Sequence, residues 1–189
     1  MKALATLGLL VVLAVPASAA VIHNEASDGD LSTDALNPTP VVFAPGSNTI
    51  IGTVTNIGGA DPRDYITFSI AAPFRLIILN LVNLAPNNIA FCAFNAGTQS
   101  FVPSVTTDPE FLAGIHITSS DIGTDLMPDF VDRNVTSNAL AAPELDAGDY
   151  CFVIQQASPV NTSYALEFIL DAGLPAEAST WGRMKRLYR

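Results

Sequence analysis

The sequence predicts an all-β protein, a single antiparallel β-sandwich of jelly-roll-like character, and three observations predict it. Several short segments alternate apolar and polar residues with the period of two that is typical of a half-buried strand. Turn-forming stretches such as "APGSN", "NIGGADP" and "LDAGD" separate these segments. The chain carries 13 prolines and no long segment with a helical period, which disfavours helical and α/β folds.

The clearest strands lie at residues 64–70 and 163–170. In the first, Ile66, Phe68 and Ile70 share one face, and Tyr65 lies on the other. The second strand alternates in the same way, with Tyr164, Leu166, Phe168 and Leu170 on one face and Glu167 opposite. Further strands are predicted at 48–56, 74–84, 89–97 and 149–156, and one or two shorter strands at 113–118 and 130–135. The rest of residues 99–148 is predicted to form long connections.

Residues 1–20 have the order of a secretory signal peptide: a positive charge at Lys2, an apolar stretch, and small residues around Ala19 and Ala20. We therefore expect a secreted protein, located outside the cell or on its surface. Residues 21–171 form the predicted sandwich domain, and residues 172–189 form a linker and a short basic tail. No later apolar run is long enough to span a bilayer, so no transmembrane span is expected after signal cleavage.

The tail has two interpretations. On a helix, Trp181, Met184 and Leu187 or Tyr188 would lie on one side, and the tail's cations would point elsewhere. Half of the 8 Lys and Arg residues of the chain lie in its last seven positions, which favours an export, sorting or surface-contact tag. The alternative is a C-terminal helix that packs on the sandwich.

The chain is acidic, with 18 Asp and Glu against 8 Lys and Arg. Between the signal peptide and the tail, the cations are Arg63, Arg75 and Arg133. Such a surface repels phosphate backbones, so nucleic acid is not expected as a partner. It would tolerate bound divalent cations.

Cys92 and Cys151 are the chain's 2 cysteines, and each lies in a strand-like run. Because export exposes thiols to oxidation, we predict a disulfide between them, which would stabilise the fold by roughly 3–5 kcal/mol. The alternative is two buried free thiols.

Two stretches resemble the bacterial pre-peptidase C-terminal (PPC) family of β-sandwich modules. "SNTIIGTVTNIGGADPRDYITFSI" is similar to the family's glycine-containing strand, acidic turn and Asp-Tyr strand. "LDAGDYCFVIQQASPVNTSYALEFIL" resembles its closing pair of strands. The chain is also similar to exported PEP-CTERM-type proteins, although it lacks their C-terminal sorting tail.

The resemblance implies a calcium site. Collagen-binding PPC domains bind calcium through an acid-rich N-terminal segment and the acids before the Asp-Tyr strand. The matching residues here are Glu25, Asp28, Asp30, Asp61 and Asp64. Calcium prefers six to eight oxygen ligands in flexible geometry, which such a set could supply. The alternative is a solvated acidic N-terminus beside another acidic turn.

Patterns that indicate catalysis do not occur in the sequence. His23 and His116 are its 2 histidines, and neither belongs to a nucleophile elbow or an HExxH zinc motif. We therefore predict a non-enzymatic binding module, stabilised by calcium, that contacts an extracellular protein, polymer or polysaccharide. The alternative is a self-associating structural subunit of a surface layer, matrix or filament.

Overall fold

The computed structural model describes residues 19–59, 63–86, 89–100, 111–156 and 158–172. These ranges contain nine strands and two short helices, and they confirm the predicted all-β sandwich. The strands are β1 (Ala20–Asn24), β2 (Thr39–Pro40), β3 (Gly46–Thr55), β4 (Arg63–Ile70), β5 (Phe74–Ala85), β6 (Ala90–Ala96), β7 (Phe111–Ile117), β8 (Gly148–Gln156) and β9 (Asn161–Ala172). The helices are α1 (Glu25–Asp28) and α2 (Asp129–Asp132), and 3₁₀ turns occur at Ile57–Gly59 and Ser119–Asp121.

The strands form two sheets. The first sheet has the order β1-β3-β9-β5, and the second has the order β2-β4-β8-β6-β7. Antiparallel pairing dominates, whereas β1 and β2 each join the edge of a sheet in parallel, β1 beside β3 and β2 beside β4. The N-terminal part of the chain thus contributes one edge strand to each sheet.

The main core lies between the sheets, and the period of two places its residues there. Ile66, Phe68 and Ile70 of β4 are all buried in it, as their alternation predicted. The apolar face predicted for the second clear strand is also buried, and Phe168 of that face contacts Phe152 of the second sheet with ring centroids 5.5 Å apart. Burial of this apolar surface is the main favourable contribution to folding, at roughly 25 cal/mol per Å².

Part of the outer face of the second sheet is buried as well. Tyr65 belongs to a separate apolar cluster there, with Ala35, Phe91, Ala93, Phe111, Cys151 and Val153. Tyr65 is only 1% exposed, although its strand alternation placed it opposite the core-facing residues. The outer face of β4 is therefore buried at Tyr65, whereas Thr67 is half-buried and Ser69 is exposed on that same face.

Loops cover the outer sides of two edge strands. The backbone of Leu76 on β5 exchanges two hydrogen bonds with Leu145, at 3.0 and 2.9 Å. On β7, Gly114 accepts a hydrogen bond from Val135 N at 2.8 Å and donates one to the side chain of Asn134 at 2.8 Å. Backbone groups satisfied in this way are not available for pairing with another chain.

The predicted strand at 130–135 is wrong. Residues 129–132 form α2 instead, and an ion pair one turn apart, Arg133 with Asp129 at 2.7 Å, stabilises it. Pro128 precedes the first turn. An N–H group at this position would have no acceptor within the helix, so the lack of an N–H on proline costs no helical hydrogen bond. The neighbouring prediction at 113–118 corresponds to β7.

The predicted disulfide is also wrong, because Cys92 and Cys151 are both free and buried. Cys92 pairs with Ile154 and faces the main core, whereas Cys151 pairs with Asn95 and faces the outer cluster. The two thiols lie on opposite faces of one sheet, a geometry that no disulfide can bridge without moving the backbone.

The predicted signal peptide lies outside the described residues except for its last two positions, and residues 173–189 of the tail lie outside them entirely. In the described part of the chain, no helix is both long and apolar enough to cross a membrane.

Candidate functional site

The N-terminal segment, residues 20–41, lies across the edges of both sheets. Its first strand, β1, pairs with β3, and its last residues pair with β4. Between these two pairings, Tyr65 N donates to Ser32 O at 2.8 Å, and at the end of the segment Val41 N donates to Thr67 O at 2.9 Å. The start of the sandwich is therefore held beside the Asp-Tyr strand by backbone hydrogen bonds.

Helix α1 begins directly where β1 ends, because Asn24 caps it. The Asn24 side chain accepts from Ala26 N at 3.1 Å, and Asp28 Oδ2 accepts from Asn24 N at 2.8 Å. The hydrogen bond from Asn24 lowers the pKa of Asp28. Gly29 ends the helix with φ of 92°, and its carbonyl accepts from His23 Nε2 at 3.0 Å. Asp28 and His23 therefore fix this short turn.

Glu25 joins α1 to both of its neighbours. Its Oε1 accepts from Leu31 N at 3.0 Å, and its Oε2 accepts from Thr53 N at 2.6 Å. The last residue pair between β1 and β3 is Asn24–Ile51, so Glu25 supplies an acceptor to β3 just beyond the end of β1. Both carboxylate oxygens thus satisfy backbone N–H groups, which makes Glu25 a structural residue whatever else it binds.

Asp64 connects the second sheet to the first. Its Oδ2 accepts a hydrogen bond from the hydroxyl of Tyr164 on β9 at 2.8 Å. Asp64 is 6% exposed and Tyr164 is 1% exposed. Burial, followed by the nearby charge of Asp64, raises the pKa of Tyr164 well above its usual value, so the phenol stays protonated as the donor.

A cavity of about 520 Å³ opens between α1, β3 and the start of β4. Glu25, Asp30 and Asp64 line it together with the hydroxyl-bearing residues Thr33, Thr53 and Thr55. Its volume falls within the range of roughly 300–1,000 Å³ that ligand sites occupy. Three predicted ligand residues from two distant stretches of sequence therefore meet at one cavity.

The other two predicted ligands do not complete the set. Asp28 does not line this cavity, and its side chain bonds to Asn24 and Ser27. Asp61 lies outside the described residues. Within the described ranges, no three His, Cys, Asp or Glu side chains are grouped closely enough to hold a metal ion. The arrangement is an acidic cavity rather than a finished coordination sphere.

Three important residues were absent from the predicted site: Tyr164, Thr53 and Gly52. A Cβ on Gly52 would lie 2.5 Å from the Tyr164 hydroxyl oxygen, so this position needs glycine for the tyrosine to lie across β3. The signal for Tyr164 was present in the sequence, because a tyrosine in an otherwise apolar row needs a buried partner for its hydroxyl. Nothing in the sequence pointed to the backbone of Thr53.

The two histidines have ordinary structural surroundings. His23 is 9% exposed and bonds to Gly29, as described above. His116 is exposed on β7, and its ring contacts Phe91 with centroids 5.8 Å apart.

No family model, curated protein or solved structure matches this chain. The similarity to PPC domains therefore stays a prediction from the sequence motifs.

Proposed function

We propose that the protein is a secreted, non-enzymatic β-sandwich binding module that contacts an extracellular protein, polymer or glycan. The observation that carries this proposal is the cavity lined by Glu25, Asp30 and Asp64 at one end of a rigid sandwich. Binding residues commonly lie on loops that such a scaffold positions.

The surroundings of the cavity support a contact surface at the same end. The strand ends that flank the connections β3–β4, β5–β6 and β8–β9 lie there, since Thr55 pairs with Asn161 and Ala85 pairs with Ser163. Ile57 and Ile89 on two of these connections are each 55% exposed. Acidic groups and exposed apolar side chains at the same end suit a partner that offers cationic and apolar groups together.

We further propose that the cavity binds calcium. Calcium accepts water and hydroxyl or carbonyl oxygens beside carboxylates, so carboxylates that surround a cavity without converging can still hold a partly hydrated ion. Such an ion would lower the repulsion among three acids. It would add to the hydrogen bonds that already hold the N-terminal segment in place.

Thermal unfolding in calcium and in chelator tests this proposal. An ion that binds only the folded state stabilises it by about 2.7 kcal/mol at one hundred times its dissociation constant. The Asp30→Asn and Asp64→Asn variants should lose the calcium-dependent rise in Tm. Asp132→Asn, which changes an exposed acid on α2, should keep it. Identical melting curves with calcium and with chelator would remove calcium from the proposal, while magnesium at equal ionic strength controls for charge screening.

A structural role in a layer or filament is the second candidate, and strand β1 favours it. β1 pairs with β3 on one side only, and no described residue pairs with its other side. However, β1 has five residues and an irregular register between Val21 and His23, and short or bulged edges resist pairing with other chains. Elution as a monomer at every protein concentration in size-exclusion chromatography would exclude this role.

A further inference from the structure

An apolar groove of about 300 Å³ lies at the end of the sandwich opposite the acidic cavity. Its walls are Pro40, Val41, Val42 and Phe43 on one side and the β4 residues Thr67–Ser69 on the other, with Thr98 nearby. Val42 is 86% exposed, the largest exposed fraction among the exposed large apolar side chains of the described residues. Apolar surface left open in this way is typical of a docking site.

The groove is already formed. The ring of Phe43 contacts Phe68 and Phe168, with centroid separations of 4.5 and 5.0 Å. Behind it, the fully buried Asn48 side chain donates to the carbonyls of Ala44 and Gly46 at 2.8 and 3.0 Å. These contacts hold the chain that follows Val42, so a ligand would not need to order it first.

The chain leaves the sandwich beside this groove. Gly46, the first residue of β3, pairs with Leu170 of β9, so Ala172 lies next to the residues that follow Phe43. Residues 173–189 continue from that point and lie outside the described ranges. An extended chain advances roughly 3.4 Å per residue, so residues 173–180 alone could cover about 27 Å.

The composition of this segment complements the groove. Residues 181–189 contain Trp181, Met184, Leu187 and Tyr188 together with four cations. The exposed acids Asp149 and Asp171 lie close to the groove: Asp149 accepts a hydrogen bond from Ser69 at 2.5 Å, and Asp171 immediately follows Leu170. The groove thus offers an apolar surface with carboxylates near it to a segment that carries apolar and cationic side chains.

We infer that the C-terminal segment 181–189 of the same chain binds this groove, with Trp181 as its apolar anchor. Large aromatic side chains bury the most area per residue and commonly dominate such contacts. The inference concerns a different end of the sandwich from the acidic cavity and does not depend on the proposed calcium site.

Fluorescence tests the inference directly, because the sequence has 1 tryptophan, Trp181, and the tryptophan emission therefore comes from this residue alone. In the full-length exported protein, Trp181 should emit at a shorter wavelength in buffer than in denaturant. Val42→Lys places a cation in the groove and should shift the emission to the red. Val82→Lys is the matched control, since Val82 is 50% exposed on β5, and it should leave the emission unchanged.

Three outcomes would overturn the inference. Wild-type emission that already equals that of the denatured protein would show that Trp181 is in water. Equal emission from wild type and Val42→Lys would place Trp181 in some other apolar surrounding. A blue shift that disappears on dilution would assign the groove to the segment of a second copy. Because Val42 is exposed, its replacement should not unfold the protein, and circular dichroism of the variant checks this.

Discussion

The hydroxyl of Tyr164 donates a 2.8 Å hydrogen bond to Asp64, and this bond joins the two sheets. Tyr164 belongs to β9 in the first sheet, and Asp64 belongs to β4 in the second. Asp64 also lines the acidic cavity, so the same carboxylate belongs both to the packing between the sheets and to the candidate site. A change at either residue should therefore affect stability and the site together.

Replacing Tyr164 with Phe removes the donor and leaves the buried Asp64 without this hydrogen bond. We expect the free energy of unfolding to fall by about 1–3 kcal/mol, because a buried polar group that loses one hydrogen bond keeps its desolvation cost. Urea denaturation measures the change. Tyr150→Phe is the control, since that hydroxyl donates to Asp146 O at 2.9 Å near the surface and its loss should cost less. Equal stability of wild type and Tyr164→Phe would show that this bond contributes nothing.

Gly52→Ala should destabilise the protein through overpacking. The new methyl group would lie 2.5 Å from the Tyr164 hydroxyl oxygen, and the tyrosine would have to leave Asp64 to make room. Such overpacking costs about 1–3 kcal/mol. Gly148→Ala is the matched control. A Cβ at that position would lie 3.4 Å from its nearest contact, the Tyr150 hydroxyl oxygen, so the substitution should be tolerated. A Gly52→Ala protein as stable as the control would mean that Tyr164 can move freely.

Glu25→Gln should loosen the N-terminal segment. The glutamine has one acceptor oxygen, so one of the two N–H groups, from Leu31 or Thr53, loses its partner. We expect a local loss of about 1–3 kcal/mol, seen as faster hydrogen exchange at these two amides. With all samples in chelator, Asp30→Asn alters an exposed acid of the same cavity and should leave exchange unchanged. Equal exchange rates in wild type and Glu25→Gln would contradict the role given to this carboxylate.

How much of the fold could be predicted from the sequence depends on which structural property each sequence pattern reflects. Period-two alternation reports which residues share a face, so it located the core face of β4 correctly. It cannot report whether the opposite face is covered, because that depends on distant segments such as the one around Ala35. The alternation therefore placed Tyr65 on the opposite face without showing that it is buried there. The short helix α2 was missed because four residues are too few to show a helical period.

The candidate site was predicted in part. The resemblance to PPC domains led to the expectation that Glu25 and Asp64 lie near one another, and they line one cavity. It did not indicate that backbone N–H groups would occupy both oxygens of Glu25. That depends on where β1 ends beside β3, which a sequence does not show. The disulfide was wrong for a similar reason: the face on which each thiol lies depends on the register of β6 and β8.

Both thiols should resist modification in the folded protein. Burial raises the pKa of the Cys92 and Cys151 thiols, and the thiolate is the reactive form. A thiol reagent at neutral pH should modify neither cysteine in buffer and both after unfolding in denaturant without reductant. A protein that yields no free thiols when unfolded would show that the disulfide forms after all.

Stability should fall in alkaline solution. Burial raises the pKa of Cys151 from 9.0 to about 12, so the folded protein keeps this thiol neutral at pH values where the unfolded chain ionises it. Its contribution to the free energy of unfolding is therefore complete below about pH 9 and is lost as the pH rises through about 12. One such group can lower the free energy of unfolding by at most about 1.4 kcal/mol for each pH unit. In urea titrations above pH 9, Cys151→Ala should show a shallower decline than wild type. Parallel declines would show that Cys151 does not ionise on unfolding in this range.

The chain enters and leaves the sandwich at the same end. Ala20 pairs with Asn48 and Leu170 pairs with Gly46, so the first and last strand residues lie near each other, about the length of β3 away from Thr55 at the acidic cavity. A fusion partner or surface anchor attached at either terminus would therefore leave the cavity and its neighbouring loops pointing away from the attachment point. This polarity makes the domain suited to display, with one end tethered and the opposite end presented to the surroundings.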